Sequence, residues 1–226
     1  MRMEKLIAGD VKFQRKYGFY FLYAILTIIY ITAILAIPQS WRGKIVTLLI
    51  FSDPPAMGMF FMGAIVLLEK SQRVLCTLAV SPITPQEYIA SKMISVSLIS
   101  LLVAVSIALA AGKDHLFILG MGTVLTSMIF TLLGMIVAVK IESLNQFILW
   151  TVPFEIIGFG PAVLYLFGVD FPVFQYYPAN ICINMVAGRL PGGLKIVILC
   201  IFIAILFGLA QKSVLRMWNR LGGAKL

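Results

Sequence analysis

Six apolar stretches of membrane-spanning length alternate with short polar intervals along this chain of 226 residues. Each stretch approaches the length of about 20 residues that an α-helix needs to cross the hydrocarbon core of a bilayer. The pattern therefore predicts an all-α integral membrane protein with six transmembrane helices, organised as one domain over residues 1–226. The predicted spans cover approximately residues 19–37, 45–68, 92–111, 116–139, 147–167 and 194–210.

The residues that precede the first span have helical periodicity. Within residues 1–18, apolar side chains fall on one side of a helix and basic side chains on the other. This predicts an amphipathic interface helix lying on the membrane surface. A basic flank that only fixes the orientation of the protein is the alternative. Asp10 falls on the apolar side and weakens the stripe.

Residues 69–92 form the longest polar interval, and their pattern is typical of an ordered helical hairpin. Apolar residues at helical spacing predict a short amphipathic helix that continues out of the second span from Glu69 to Val80. The Ser81-Pro82 pair ends this helix, because a residue that precedes proline is pushed out of the α region.

A second helix of the hairpin is predicted to begin at residue 85. Thr84 is the expected N-cap, Pro85 occupies the first helical position, and Glu87 closes a capping box onto the Thr84 amide. The hairpin is therefore expected to be well capped before the chain re-enters the bilayer.

The segment 171–193 is too apolar for a free loop and too interrupted by proline to span a membrane. It predicts a pair of short helices that dip into the outer leaflet, the second beginning at Pro178 and ending at Gly188. The polar residues that such a re-entrant segment would accommodate are Gln175, Asn180 and Asn184.

Two acidic residues fall within apolar stretches. Asp53 is expected near the outer interface, where Ser52 or Asp53 would cap a helix that begins at Pro54; a contact with cargo or an ion is the alternative. Glu155 lies in the fifth span, which its prolines predict to be kinked or split, and an acid there must face protein or water. An interhelical hydrogen bond or a place in a transport pathway would explain it.

Composition and charge support the membrane assignment and exclude other classes. Apolar residues make up 61% of the chain and charged residues 12%, about half the usual charged fraction of a soluble domain. Thirteen of the eighteen Lys and Arg residues would lie on one side of the membrane and five on the other, which predicts two cytosolic termini in the cytoplasmic membrane. Because these basic residues sit at span ends, nucleic-acid binding is not expected.

Catalytic and metal-binding motifs are missing from the sequence. It has no P-loop, no H-E-x-x-H and no nucleophile elbow. Its three cysteines stand at unrelated spacings, so neither a disulfide framework nor a metal site is expected. Six spans in 226 residues also leave no room for a soluble nucleotide-binding domain, so we expect no enzyme activity and no cofactor in this chain.

The hairpin carries a family resemblance. The residues concerned are Glu69, Thr77-Leu78, Ser81-Pro82-Ile83, Glu87-Tyr88 and Lys92. With them the chain resembles the permease subunits of type-2 ABC exporters, including the drug and fluoroquinolone export permeases. One departure is that Val74, Leu75 and Cys76 precede Thr77 where the family usually has a glycine.

The resemblance implies a partner and a role for each segment. Two separate ABC ATPase subunits, which bind ATP and Mg²⁺, would dock on the cytosolic face, and a second permease, identical or a sister chain, would complete the pathway. Residues 1–18 would form an elbow helix touching the ATPase, and 171–193 an extracellular lid. The residues expected to couple to the ATPase are Glu69, Arg73, Thr77, Leu78, Ser81, Pro82, Thr84 and Glu87, with charges on the rim and Val74 or Leu78 in an apolar pocket.

The expected transport pathway is apolar and lies between two permeases, lined by their second and fifth spans. Its candidate residues are Met59, Met62, Phe154, Glu155 and Phe159. Such a lining suits an amphipathic drug, peptide or lipid. The alternative is a six-span protein that does not transport, either an assembly factor or an enzyme acting at the membrane interface through Glu69, Arg73, Glu87 and Lys92.

Overall fold

A computed structural model describes residues 2–169 and 171–220, and in these ranges all regular structure is helical. The α-helices are α1 (Arg2–Lys16), α2 (Phe19–Ala36), α3 (Gln39–Ala56), α4 (Met62–Ser71), α5 (Val74–Ala79), α6 (Pro85–Ala110), α7 (Leu116–Lys140), α8 (Leu144–Leu166), α9 (Pro178–Val186) and α10 (Gly193–Arg220). A π-helix, Met57–Phe61, joins α3 to α4, and a 3-10 turn, Phe174–Tyr176, precedes α9.

Six helical segments of the described chain are long and apolar enough to cross a membrane. They are Phe19–Ala36, Trp41–Ser71, Pro85–Ala110, Leu116–Lys140, Leu144–Leu166 and Gly193–Arg220. The all-α, six-span prediction is therefore confirmed. Because successive spans run in opposite directions, α1, α5 and the end of α10 lie at one end of the bundle, and α9 lies at the other.

Helix α7 occupies the centre of the bundle and contacts α3, α4, α6, α9 and α10. The second, third and fourth spans bury more than half of their apolar windows inside the subunit, whereas α2, α8 and α10 bury only 17% of theirs. The outer helices therefore present apolar surface to lipid or to another membrane protein.

Glycines allow α7 to approach its neighbours closely. A Cβ added to Gly134 of α7 would lie 2.5 Å from the carbonyl oxygen of Gly58 in the π-helix, and a Cβ on Gly58 would lie 2.6 Å from the amide nitrogen of Thr131. A Cβ on Gly122 would similarly meet Met185 of α9 at 2.7 Å. Small residues of this kind let transmembrane helices pack backbone against backbone.

The second span is one helical element, and the predicted cap at Asp53 is wrong. Pro54 and Pro55 lie inside α3, and Asp53 is buried in the helix rather than placed at a terminus. Prolines remove two backbone donors, and the helix passes into the π-helix directly afterwards. In a transmembrane segment such local adjustments give the carbonyl groups freed by proline new hydrogen-bond donors, so proline does not end the helix.

The fifth span is also continuous, so the expectation that its prolines split the helix is wrong, and the expected kink stays a prediction. Helix α8 runs through Pro153 and Pro161. Pro161 cannot donate the backbone hydrogen bond that the Ile157 carbonyl oxygen would normally accept. The Tyr177 hydroxyl donates to this oxygen instead, at 2.6 Å. The replacement donor explains how the helix tolerates the second proline.

Candidate functional site

A break in the helix separates the end of the second span from the hairpin that follows it. Helix α4 ends at Ser71 and α5 begins at Val74, with Arg73 between them in the left-handed region at φ 57°. The predicted continuous helix from Glu69 to Val80 is therefore wrong. The left-handed residue redirects the chain, so α5 is an element of its own beyond the end of the span.

The predicted capping box at the start of α6 is confirmed. The Glu87 amide donates to Thr84 Oγ1 at 3.3 Å, and the Thr84 amide donates to Glu87 Oε2 at 2.8 Å. The Glu87 carboxylate is thus engaged within the hairpin.

The loop that joins α5 to α6 is held at both sides. The Ser81 hydroxyl donates to the Leu78 carbonyl oxygen at 2.7 Å, which closes the end of α5. The Arg2 guanidinium of α1 donates to the Pro82 carbonyl oxygen at 3.4 Å. Helix α1 therefore contacts the turn of the hairpin.

Three exposed side chains lie on α5 and on the residues that flank it. Arg73 is the residue before α5, Thr77 lies within the helix, and Val80 is the residue after it. Val80 is 72% exposed, an unusual state for a valine outside the apolar spans. We call Arg73, Thr77 and Val80 the α5 face.

The opposite side of α5 packs on the subunit itself. Leu75 is fully buried, Leu78 packs against the hydrophobic core, and Val74 is half-buried. Val74 and Leu78 thus pack partly within the subunit and stay partly exposed, so a contact of either with a pocket in a partner stays a prediction. Val80 is the more exposed apolar side chain of this segment.

Beneath the hairpin lies a buried ion cluster formed by Asp10, Glu69, Tyr88 and Lys92. Lys92 Nζ donates to Asp10 Oδ1 at 2.5 Å and also to Glu69 Oε1. The Tyr88 hydroxyl donates to the second oxygen of Glu69 at 2.6 Å. Lys92 and Glu69 are only 2% and 4% exposed. The cluster joins α1, the end of α4 and the start of α6.

Further contacts of α1 and α10 surround the buried ion cluster. Gln14 of α1 donates to the Ser95 hydroxyl of α6 at 3.1 Å. The Phe13 ring centroid lies 6.0 Å from Lys92 Nζ. Trp218 of α10 packs against Tyr88, with 5.8 Å between ring centroids. A displacement of the hairpin must therefore move or break contacts with two other helices.

The cluster corrects the expected roles of two acids. Glu69 was expected at the rim of a docking surface, but it lies under the hairpin and is satisfied by Lys92 and Tyr88. Asp10 weakened the apolar stripe of α1 because it faces Lys92 rather than lipid. The signals in the sequence are an acid on the apolar side of α1 and a lysine near the start of α6, and no local pattern connects the two.

A second lysine fixes the hairpin's root to α7. Lys70 Nζ donates to the carbonyl oxygens of Ala138, Val139 and Ile141, at 2.9, 3.0 and 2.7 Å. Carbonyl oxygens at the end of a helix lack most of their intrahelical partners, and a cation there also complements the helix dipole. Neighbouring residues Glu69 and Lys70 thus attach the end of α4 to α6 and to the end of α7, and Lys92 extends the connection to α1.

The model of the Fluoroquinolones export permease protein family matches residues 1–219. The chain belongs to this family. Similar curated relatives are Fluoroquinolones export permease proteins of two Mycobacterium tuberculosis strains, CDC 1551 / Oshkosh and ATCC 25618 / H37Rv. Each is 30% identical over 141 residues, which cover 61% of this chain and 60% of the relative.

The pathway residues expected in this export permease family member are placed in different environments. Met59 and Met62 are fully buried inside the subunit, so they do not lie on a surface that a second permease could share, which corrects their assignment. Phe154 is exposed on α8, and Glu155 beside it is half-buried. Phe159 stacks on Phe51 of α3, with ring centroids 5.6 Å apart.

The polar residues expected in the lid of this family member mostly support its local structure. Asn180 Nδ2 donates to the Phe174 carbonyl oxygen at 2.8 Å, and Asn184 Nδ2 donates to the Asn180 carbonyl oxygen at 3.0 Å. Gln175 is half-exposed in the 3-10 turn. The segment contains one 3-10 turn and one helix rather than two helices, and a role as a lid stays a prediction.

Proposed function

We propose that this chain is the membrane-spanning permease subunit of an ATP-driven ABC exporter in the cytoplasmic membrane. The proposal rests on the family assignment and on one observation: an exposed α5 face supported by a buried ion cluster. Two copies of a separate ABC ATPase would bind ATP and Mg²⁺, and a second permease, identical or a sister chain, would complete the transporter.

The α5 face suits contact with a soluble partner. It combines a guanidinium, a hydroxyl and an exposed aliphatic side chain on one short helix and its flanking residues, which is the mixture of charged rim and apolar anchor found at protein interfaces. ATP-driven closure of the ATPase pair would press on α5. The buried ion cluster would pass this displacement to α1 and α6, and Lys70 would pass it to α7.

The cargo we propose is an amphipathic drug, peptide or lipid. The names of the relatives suggest fluoroquinolones as the first class to test. The exposed apolar side of α8, with Phe154 and the half-buried Glu155, supports a pathway between two permeases. A half-buried acid on such a surface would interact with polar parts of the cargo or with water.

Photo-cross-linking from the α5 face tests the partnership. A photoreactive amino acid at Thr77 should form an adduct with an ATPase that contains a P-loop, and the same group at Gly192, at the far end of the bundle, should not. Arg73→Glu should reduce the yield by about fivefold, since one exposed charge contact contributes up to about 1 kcal/mol. Raising the salt concentration should lower the wild-type yield as well.

A matched charge reversal and a failure criterion complete this test. Lys140→Glu changes an exposed lysine at the same end of the bundle and should leave the yield at Thr77 unchanged. If Thr77 captures no P-loop ATPase in membranes that hold the chain at its normal level, the exporter proposal fails. A non-transporting assembly factor would then be the better assignment.

Cysteine labelling tests the proposed orientation. In a cysteine-free background, a membrane-impermeant maleimide applied from outside should label a cysteine at Gly192 and not one at Gln86. The physical reason is the excess of Lys and Arg at the hairpin end of the bundle, because loops rich in these residues stay on the cytosolic side of the membrane. Strong external labelling at Gln86 would reverse the assignment of both termini.

A further inference from the structure

A basic cavity of about 450 Å³ lies at the end of the bundle opposite the hairpin. It opens between the start of α3, the turn from α6 to α7, the end of α8 and helix α9. The residues of its lining that can bind a polar ligand through their side chains include Lys44, Lys113, Arg189, Asn184 and Tyr165.

The three cations of this cavity come from three separate elements. Lys44 lies in α3, Lys113 in the turn after α6, and Arg189 follows α9. Among the described residues, no carboxylate lines the cavity or forms an ion pair with any of the three. Three basic residues thus line one cavity without a carboxylate from residues 2–169 or 171–220 in its lining.

The Lys113 ammonium lies in a partly desolvated site at this cavity. Its Nζ donates to the Gly43 carbonyl oxygen at 3.3 Å, which holds the turn against α3. Burial lowers the pKa of Lys113, because a less solvated site disfavours the charged form. A bound anion would stabilise the ammonium and oppose that effect.

The distribution of basic residues also singles out the cavity. Five of the eighteen Lys and Arg residues lie at this end of the bundle, and three of the five line this one cavity. Lys and Arg residues are generally enriched in the cytosolic loops of a membrane protein and scarce in the loops on the opposite side, and this difference sets the orientation of the protein. Orientation alone does not explain why the few at this end converge.

We propose that the cavity binds a phosphate-bearing anion, with the headgroup of an anionic phospholipid as its source. Ammonium and guanidinium groups form charge-assisted hydrogen bonds with phosphate oxygens. The cavity also has apolar lining from Leu166, Ile183 and Ala187, and it lies at the ends of transmembrane helices, where lipid headgroups lie. Basic pockets between transmembrane helices bind anionic headgroups in this way.

Lipid binding to the purified protein in non-ionic detergent tests this proposal. Native mass spectrometry should show phosphatidylglycerol binding at least about tenfold more tightly than phosphatidylcholine. Replacing all three cations, Lys44→Gln with Lys113→Gln and Arg189→Gln, should abolish the preference. Lys195→Gln removes a charge at the same end but outside the cavity lining, and should preserve it.

Inorganic phosphate distinguishes the two sources of the anion. If it does not compete with phosphatidylglycerol, the lipid is the ligand; if it competes, the site recognises the phosphate group itself. Should the triple variant fold poorly, Arg189→Gln alone, at an exposed side chain, should still weaken the preference. Equal binding of the two lipids to the wild type, or an unchanged preference in the variants, would overturn the proposal.

Discussion

Lys92→Met should destabilise the protein more than any other single charge removal in the described chain. The substitution leaves the carboxylates of Asp10 and Glu69 buried together without their shared cation. Breaking a buried ion pair from one side costs about 3–5 kcal/mol, because the remaining charge cannot be solvated. The measurement is the thermal unfolding midpoint of the purified protein, combined with the folded fraction recovered from membranes.

Two further variants separate the charge effect from loss of the lysine chain. Lys140→Met removes an exposed lysine and should change stability by no more than about 0.5 kcal/mol. A triple variant, Lys92→Met with Glu69→Leu and Asp10→Leu, removes all three charges and should recover much of the lost stability, because apolar replacements of buried ion pairs are often neutral. If the thermal unfolding midpoint of Lys92→Met equals that of the wild type, the buried ion cluster does not stabilise the fold.

The recovered triple variant also tests transmission from the hairpin. It retains the α5 face but replaces ionic contacts between α1, α4 and α6 with apolar ones. If the buried ion cluster passes motion from α5 to the spans, this variant should still be cross-linked to the ATPase through Thr77 while its export activity falls. Unchanged export would leave the cluster with a role in folding alone.

The sequence predicted the spans and the capping box because both depend on local chemistry. The first span was expected at residues 19–37 and runs over Phe19–Ala36; the fourth was expected at 116–139 and runs over Leu116–Lys140. Hydropathy alone decides these limits. The Thr84–Glu87 capping box likewise depends on only four residues, since the N-cap residue and its acidic partner lie on the same helical turn.

Pairing between distant segments could not be predicted from local patterns. Asp10 and Lys92 meet across 82 positions of sequence, and nothing in either neighbourhood identifies the other. The role of Glu69 was misassigned for the same reason, since an acid at the end of a span is expected at the surface. Its burial depends on how α1 crosses the hairpin, which is a tertiary property.

The predictions at the prolines were wrong because proline interrupts helices more readily in water-soluble proteins than in membrane-spanning helices. Pro54 and Pro161 were expected to begin or divide helices, yet both lie within continuous ones. In lipid a broken helix would expose backbone groups that water cannot satisfy, so the helix persists and neighbouring groups compensate. The hydroxyl of Tyr177 is such a compensating group.

Gly134→Ala is the second substitution for which we expect a large effect, although it adds a single methyl group. The new Cβ would lie 2.5 Å from the Gly58 carbonyl oxygen and 2.9 Å from that of Met59. Both obstacles are backbone atoms, so no side-chain rotation can relieve the overlap. Overpacking typically costs about 1–3 kcal/mol, and we expect the upper part of this range because α7 and the π-helix must separate.

Gly208→Ala in α10 is the matched control, because a Cβ there meets nothing within 4 Å. Alanine is about 0.8–1.0 kcal/mol more favourable than glycine within a helix, so this variant should be neutral or more stable. The same chemical change is thus expected to have opposite signs in two transmembrane helices, measured as thermal midpoints in one detergent. Equal midpoints for the two variants would show that α7 and the π-helix can separate at little cost, and the glycines would then not determine how closely these helices pack.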